Sequence, residues 1–427
     1  MFQLDKKHQK YPKYNPTNID WIGDIPDGWE VWKLKRLGNI ETWNTPPKAE
    51  EGNYMEDGIP WIKPDNLDGF VPLNDSKEKL SQVWASQARI IKKGSVLVCG
   101  IGTIGKIGIA WCDLTTNQQI NSITFNQKID ELFGQYLVFA SRKEMEKQSN
   151  KVVVSILNKS QQSNIFYPVC SLQEQQKIAD YLDEKTRILD EAIEKKKKQI
   201  ELLAEHRTAL INNAITKWLD PNVEMIDSGI EWIGKIPKGW EVKKIKYWAS
   251  HKANKTEFNS ESLIVALENI ESWTGRYITL EENKIFDGDM NTFSSGDILF
   301  GKLRPYLAKV YKTNCEWLCV WEFLVLRPTT NILQNFLYYR LISSDFIDQV
   351  NNSTFWAKMP RADWDFIWNS KIPVPALEEQ KLIVDYLDKE TRYIDDMIAK
   401  IEKSIELLEE YKTSLISHVV SGKIRVS

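Results

Sequence analysis

The feature that most constrains this chain is that it carries the same pattern twice. Ile19–Val31 reads IDWIGDIPDGWEV and Ile230–Val242 reads IEWIGKIPKGWEV. Leu172–Arg187 reads LQEQQKIADYLDEKTR and Leu377–Arg392 reads LEEQKLIVDYLDKETR. Between Leu172–Ile211 and Leu377–Ile416, roughly 22 of 40 positions agree without a gap, far beyond chance. The period, roughly 205–211 residues, is too long for a solenoid unit. The 427 residues are therefore two copies of one module, each a variable block closed by a similar helical block. The boundaries run as an N-terminal tail (1–18), a first variable block (19–170), a first helical block (171–219), a second variable block (220–375), and a second helical block with the C-terminal tail (376–427).

The helical blocks lack Gly and Pro between Leu172 and Leu219 and between Leu377 and Ser421, so each can be one helix of about 45 residues, or about 70 Å. In the second, Ile394, Ile398, Ile401, Ile405, Leu408, Leu415 and Val419 fall at three- and four-residue steps, with Lys412 occupying one step. The first keeps that register with Leu189, Ile193, Ile200, Leu203, Leu210 and Ala214, broken by Lys196 and Arg207. Heptad spacing with charged flanks is the pattern of a coiled coil, and so narrow a stripe needs a partner. A dimerisation coil between chains would satisfy it. With both copies on one chain, an intramolecular spacer between the two modules is the favoured reading.

The variable blocks look different. Short β-prone runs (Ser95–Val98, Ile298–Phe300, Phe323–Leu326) alternate with turn residues, and helical stretches are expected over Leu132–Glu146 and Ile332–Val350. The blocks are mixed α and β, alike at their ends and divergent between. This suggests one frame displaying two different recognition surfaces. Trp21, Trp29, Trp232 and Trp240 recur in the repeat and are expected to be framework.

No catalytic constellation emerges. Gly100-Ile-Gly102-Thr-Ile-Gly105 is formally GxGxxG, but a dinucleotide site needs a helix opening at those glycines. The next residues, Lys106–Ile120, are β-prone, and the aligned Gly296–Tyr306 segment has lost the pattern, so a tight hairpin is expected. There is no GxxxxGK[ST], no HExxH and no [DN]PP[YFW]; Thr45-Pro46-Pro47 lacks the residue needed before its prolines. Four scattered histidines do not support Ser-His-Asp chemistry, and Cys315-xxx-Cys319 has no second pair to make a zinc site. Five cysteines, an odd number, suggest reduced thiols and a cytoplasmic protein. The first 18 residues hold no apolar h-region and no run of about 18 apolar residues occurs, so neither a signal peptide nor a membrane span is expected.

Charge excludes a polybasic protein: 56 Lys+Arg stand against 59 Asp+Glu. The variable blocks are balanced as well, 17 basic against 18 acidic over 19–170 and 18 against 17 over 230–375. DNA binding would have to come from local patches. Cations mixed with amides and aromatics supply them: Lys63, Asn66, Lys106, Gln118 and Gln119 in the first block, and Lys302, Arg304, Lys309, Lys358 and Arg361 in the second. Arg and Lys reach guanine, Asn and Gln reach adenine, and any cation reaches phosphate. On residues alone, a DNA reader, a scaffold holding two protein partners without DNA, and, resting on the glycines only, a nucleotide-dependent enzyme all stay open.

Two divergent blocks, each closed by a near-identical long helix, resemble the specificity subunit of Type I restriction-modification systems. The motifs that carry the likeness are the EWIG-x-IP-x-GWE-type opening (Ile19–Glu30, Asp227–Glu241), the segments at Gly94 and Gly296, and the closing EQ…YLD signature at Cys170–Asp183 and Pro375–Asp388. The resemblance covers nearly the whole chain. The first block departs from it in lacking the Lys302-Leu-Arg-Pro pattern, so base contacts cannot be carried between blocks. The resemblance implies an α+β fold with two mixed α/β target recognition domains and two long antiparallel helices forming an intramolecular coiled coil. It further implies a non-catalytic subunit that reads a bipartite double-stranded DNA target, one half-site per domain. Two methyltransferase subunits and restriction/translocase subunits would be its partners. S-adenosylmethionine, ATP and magnesium would belong to those partners, with no cofactor in this chain.

Overall fold

The structure is a computed structural model that describes residues 9–42, 54–81, 84, 90–151, 154–217, 219–220, 222–252, 254–256, 264–279, 290–354 and 359–426. The chain forms two units: residues 1–195 with 403–427, and residues 196–402. Two long helices, named α4 (Leu172–Lys217) and α8 (Leu377–Val420), each contribute to both units.

In the first unit, β1 (Gly38–Thr42), β2 (Pro72–Leu73), β3 (Val96–Cys99), β4 (Ile107–Ala110) and β5 (Ile120–Phe125) form one sheet in the order β1-β5-β3-β4-β2. All neighbours are antiparallel except β4 and β2. The apolar run of β3 is buried on both faces, which is why it shows no polar alternation. Val96 and Val98 join the core around Phe133 and Leu137, while Leu97 and Cys99 join a second core with Ile62 and Leu114. A smaller sheet places Tyr54–Ile62 between Thr115–Thr116 and Lys79–Leu80. The expected helical stretch is α1 (Glu131–Ala140) and α2 (Arg142–Gln148), and Asp130 caps α1 by accepting from the Phe133 N–H. A short α3 (Lys159–Ser163) precedes α4.

The second unit repeats the plan. Its sheet holds β6 (Ala249–His251), β7 (Ile298–Gly301), β8 (Val310–Lys312) and β9 (Phe323–Pro328) in the order β6-β9-β7-β8. Ile298, Phe300, Leu324 and Leu326 face one core, and Leu299, Phe323 and Val325 the other. Helices α5 (Gln334–Ile342), α6 (Ser344–Asn352) and α7 (Trp364–Asn369) correspond to α1–α3.

Sequence similarity at the block ends has a simple cause: the ends are zipped together. Glu30–Lys33 pairs antiparallel with Phe166–Val169, and Glu241–Lys244 with Lys371–Val374. The IP-x-GW turn before each opening strand needs a glycine, since Gly28 and Gly239 have φ of 86° and 99°. It turns Trp29 and Trp240 inward, each only 7% exposed.

Glutamine makes the joint between block and helix. Gln175 Oε1 accepts from the Asp130 N–H at 2.8 Å, and its Nε2 donates to the Lys128 and Cys170 carbonyls. Gln380 does the same with the Leu333 N–H and the Asn331 and Pro375 carbonyls. Both glutamines are fully buried, and all their partners are backbone atoms.

The expected seam residues Leu189, Ile193, Ile200, Leu203, Leu210, Ile394, Ile398, Ile401, Ile405, Leu408 and Leu415 are all buried or half-buried. Two polar positions in the heptad pattern are paired. In the first unit Lys412 Nζ donates to Asp190 at 2.6 Å, and in the second Arg207 Nε donates to Asp395 at 3.1 Å. With the repeat offset of 205 residues (Leu172 to Leu377), each pair is the image of the other. The order of the partners is reversed between α4 and α8, as in antiparallel helices. Arg207 is 7% exposed and also donates to the Trp273 carbonyl, so what looks like a break in the sequence is a buried arginine held by two partners.

Candidate nucleic-acid interface

The β3–β4 turn of the first unit and the β7–β8 turn of the second hold equivalent positions. Four backbone bonds define the match. Cys99 N–H donates to Lys106 O as Gly301 N–H does to Lys309 O. Gly100 N–H donates to Gln119 O as Lys302 N–H does to Glu322 O. Leu157 N–H donates to Gly100 O as Ala362 N–H does to Lys302 O, and Gly102 N–H donates to Ser155 O as Arg304 N–H does to Pro360 O. Each site is thus built from three chain segments locked at strand ends. Gly100, Gln118, Gln119 and Ile156 of the first unit stand where Lys302, Trp321, Glu322 and Arg361 stand in the second.

The glycines of the first unit close a hairpin. Gly102 and Gly105 have φ of 85° and 75°, β4 follows directly, and no helix opens there. A Cβ at Gly100 would lie 2.9 Å from the Leu157 carbonyl oxygen. Glycine is present because another strand crosses closely, not to cradle a phosphate.

The ten residues singled out from sequence fall into distinct surroundings. Asn66 holds the frame: its Oδ1 accepts from the Lys63 N–H at 2.8 Å, and Asn269 does the same for Ala266 at 2.9 Å in the second unit. Lys309 is also tied to the frame, donating to the Leu267 carbonyl at 2.6 Å; burial pushes its ammonium below the ordinary lysine range. Lys63 lies 4.5 Å from the Trp61 ring centroid and pairs with Glu78. Lys106 is half-exposed on the β3–β4 turn. Gln118 is exposed, while Gln119 is half-buried and accepts from the Asn117 amide at 2.9 Å. Arg304 is exposed at a left-handed position (φ 52°). Lys358 lies outside the described residues.

Lys302 and Arg361 come together, and with them two residues the sequence did not single out. Lys302 Nζ is 4.9 Å and Arg361 Cζ 4.8 Å from the centroid of Trp321, itself 48% exposed. Arg361 donates from Nη2 to Glu322 Oε1 at 2.6 Å. Burial lowers the Lys302 pKa, opposed by the Glu322 carboxylate and reinforced by the Arg361 cation. Trp321 and Glu322 could have been found by setting TTNQQI (115–120) against LCVWEF (318–323), a match that the strand pairing makes plain. Among the described residues, no group of three or more His, Cys, Asp or Glu could hold a metal ion. No described helix is long and apolar enough to cross a membrane.

Paired α/β domains on shared long helices, with different side chains at one equivalent turn, define a modular recognition protein. The model of the type I restriction modification DNA specificity domain matches residues 26–202 and again 224–407. The chain belongs to that family, as a specificity subunit rather than a catalytic one. It is 25% identical to the type I restriction enzyme MjaIX specificity subunit of Methanocaldococcus jannaschii, covering 95% of each chain. It is 24% identical to the MjaVIII specificity subunit of the same organism over 94% of each. A chain solved in work on complex assembly and conformational transition of the type I R-M system shares the fold, with a TM-score of 0.66, 16% identity, and coverage of 93% of this chain and 98% of that one.

Proposed function

We propose that the chain reads a bipartite double-stranded DNA target, one half-site per unit, and directs partner adenine methyltransferase and endonuclease/translocase subunits to it. The observation that carries this reading is the equivalent turn: one backbone frame, built twice, presents glycine and amides in one unit and cations with an aromatic in the other. Two readers held at fixed spacing by helices read two half-sites at fixed spacing. Adding one helical turn to both helices is expected to change the permitted gap by about one to two base pairs.

The helices also offer a face for partners. On α8, Leu382, Tyr386 and Tyr393 are 56%, 38% and 63% exposed. On α4, the positions one repeat earlier hold Lys177, the half-buried Tyr181 and Ile188, exposed at 45%. Two such faces related by the repeat suit two copies of one methyltransferase subunit. S-adenosylmethionine, ATP and magnesium are assigned to those partners, and the assembly to the cytoplasm, where its DNA is.

The test is to co-express the chain with its cognate methyltransferase and sequence the modified adenines. A two-part motif is expected. Exchanging residues 40–165 for another block should change one half of it only; no bipartite motif, or an unchanged one after exchange, would sink the reading.

A further inference from the structure

Resting on that reading, we infer that Arg361 and Lys302, braced on the Trp321 ring, are the base-reading point of the second unit and that the base they read is guanine.

Both cations are rigidly mounted. Lys302 leaves the end of β7 with its N–H bound to Glu322 O and its carbonyl accepting from Ala362, while Leu303 bridges to Arg361. Lys302 therefore follows a strand end, and Arg361 is tied to the next residue by a β-bridge, which suits side chains that must meet a base edge at a set position. Charge points the same way. Both cations lie over one indole ring, and among the described residues Glu322 is the carboxylate paired with them. Arg361 uses one N–H on Glu322 and keeps the rest of its fork; the other Glu322 oxygen, Oε2, is buried with no hydrogen-bond partner among the described residues. Such a pair favours an electron-rich acceptor, and guanine offers O6 and N7 side by side in the major groove.

A phosphate would also attract cations, and the carboxylate decides between the two. Glu322 lies 2.6 Å from the Arg361 fork, so an approaching phosphate meets a negative charge next to its ligand. A neutral base edge does not. The exposed Trp321 ring lies 4.8 Å from the guanidinium carbon and helps hold the fork in place, which favours planar, bidentate contact over point-charge attraction. The first unit has Gly100, Gln118, Gln119 and Ile156 at these positions, so the guanine requirement belongs to one half-site only.

The experiment uses the full chain with its cognate methyltransferase and sequences methylated sites for the wild type, Arg361→Gln, Arg361→Lys and Lys302→Gln. Lys238→Gln, at an exposed ion pair with Glu224, serves as control. Arg361→Gln is expected to lower discrimination for guanine at one position of one half-motif by about tenfold. Arg361→Lys keeps the charge but not the fork, and should relax the same position. Lys302→Gln leaves the Arg361–Glu322 pair intact, so it reports even if Arg361 variants fold poorly. An unchanged motif with uniformly weaker methylation in all three variants would show phosphate contact and overturn the inference. Relaxation at a position that is not guanine would overturn it too. Absence of any bipartite motif in the wild type would instead strike the functional reading on which the inference rests.

Discussion

The two units differ least where backbone meets backbone and most where side chains meet solvent. At the equivalent turn, the four framing hydrogen bonds of the first unit recur in the second within 0.1 Å. Apart from the lysine shared by positions 106 and 309, the side chains on that frame do not recur: glycine against lysine, glutamine against tryptophan, isoleucine against arginine. The same holds at the helix joint, where Gln175 and Gln380 grip only backbone. The helix ion pairs are the exception that sharpens the rule. Arg207–Asp395 is the more buried pair, with side chains 9% and 33% exposed, against 17% and 51% for its image Lys412–Asp190. The geometry is repeated, but the depth of burial is not, and the energetic weight is expected to follow the burial.

That contrast can be broken by mutation. Arg207→Ala strands Asp395 and the Trp273 carbonyl, and should cost about 3–5 kcal/mol, read by denaturant unfolding. If it costs no more than Lys412→Ala, the two pairs are energetically alike and the contrast fails. Next come Gln175→Leu and Gln380→Leu, each expected to lose about 2–4 kcal/mol by leaving backbone groups unpaired. Hydrogen exchange followed by mass spectrometry should place the loss in the unit that holds the substitution. A large difference between the two would show that the joints are not equivalent. Asn66→Ala and Asn269→Ala should each cost about 1 kcal/mol and leave the methylation motif unchanged. A changed motif would return Asn66 to the reading surface. The smallest effect belongs to Lys412→Ala, below about 1 kcal/mol, because its partner is already screened by water.

Much of the fold is legible in the sequence because it rests on periodic apolar burial. The Gly- and Pro-free heptads mark α4 and α8, and the apolar runs at Val96, Ile298 and Phe323 mark strands buried on two faces. The repeat marks the block ends, since those ends must pair with each other. The site is less legible. Asn66 and Lys309 have the right chemistry for DNA, but their polar atoms satisfy nearby backbone groups, which no spacing reveals. Arg207 looks like an interruption because its partner is 188 residues away. Trp321 and Glu322 are missed because their role depends on Lys302 and Arg361 arriving from two other segments. Composition hides the patch as well, since an even overall charge says nothing of where cations gather.

The glutamine joint has a consequence for how such a protein can change over time. Gln175 and Gln380 bind a peptide N–H and carbonyl oxygens, groups that every substitution other than proline leaves in place. An exchanged block with the same closing turn would keep these bonds to the helix, leaving side-chain contacts such as Tyr136–Thr186 and Tyr339–Asp388 as the ones to be matched. Each half of the molecule is therefore expected to behave as an interchangeable cassette, able to acquire new preferences while its neighbour keeps the old ones.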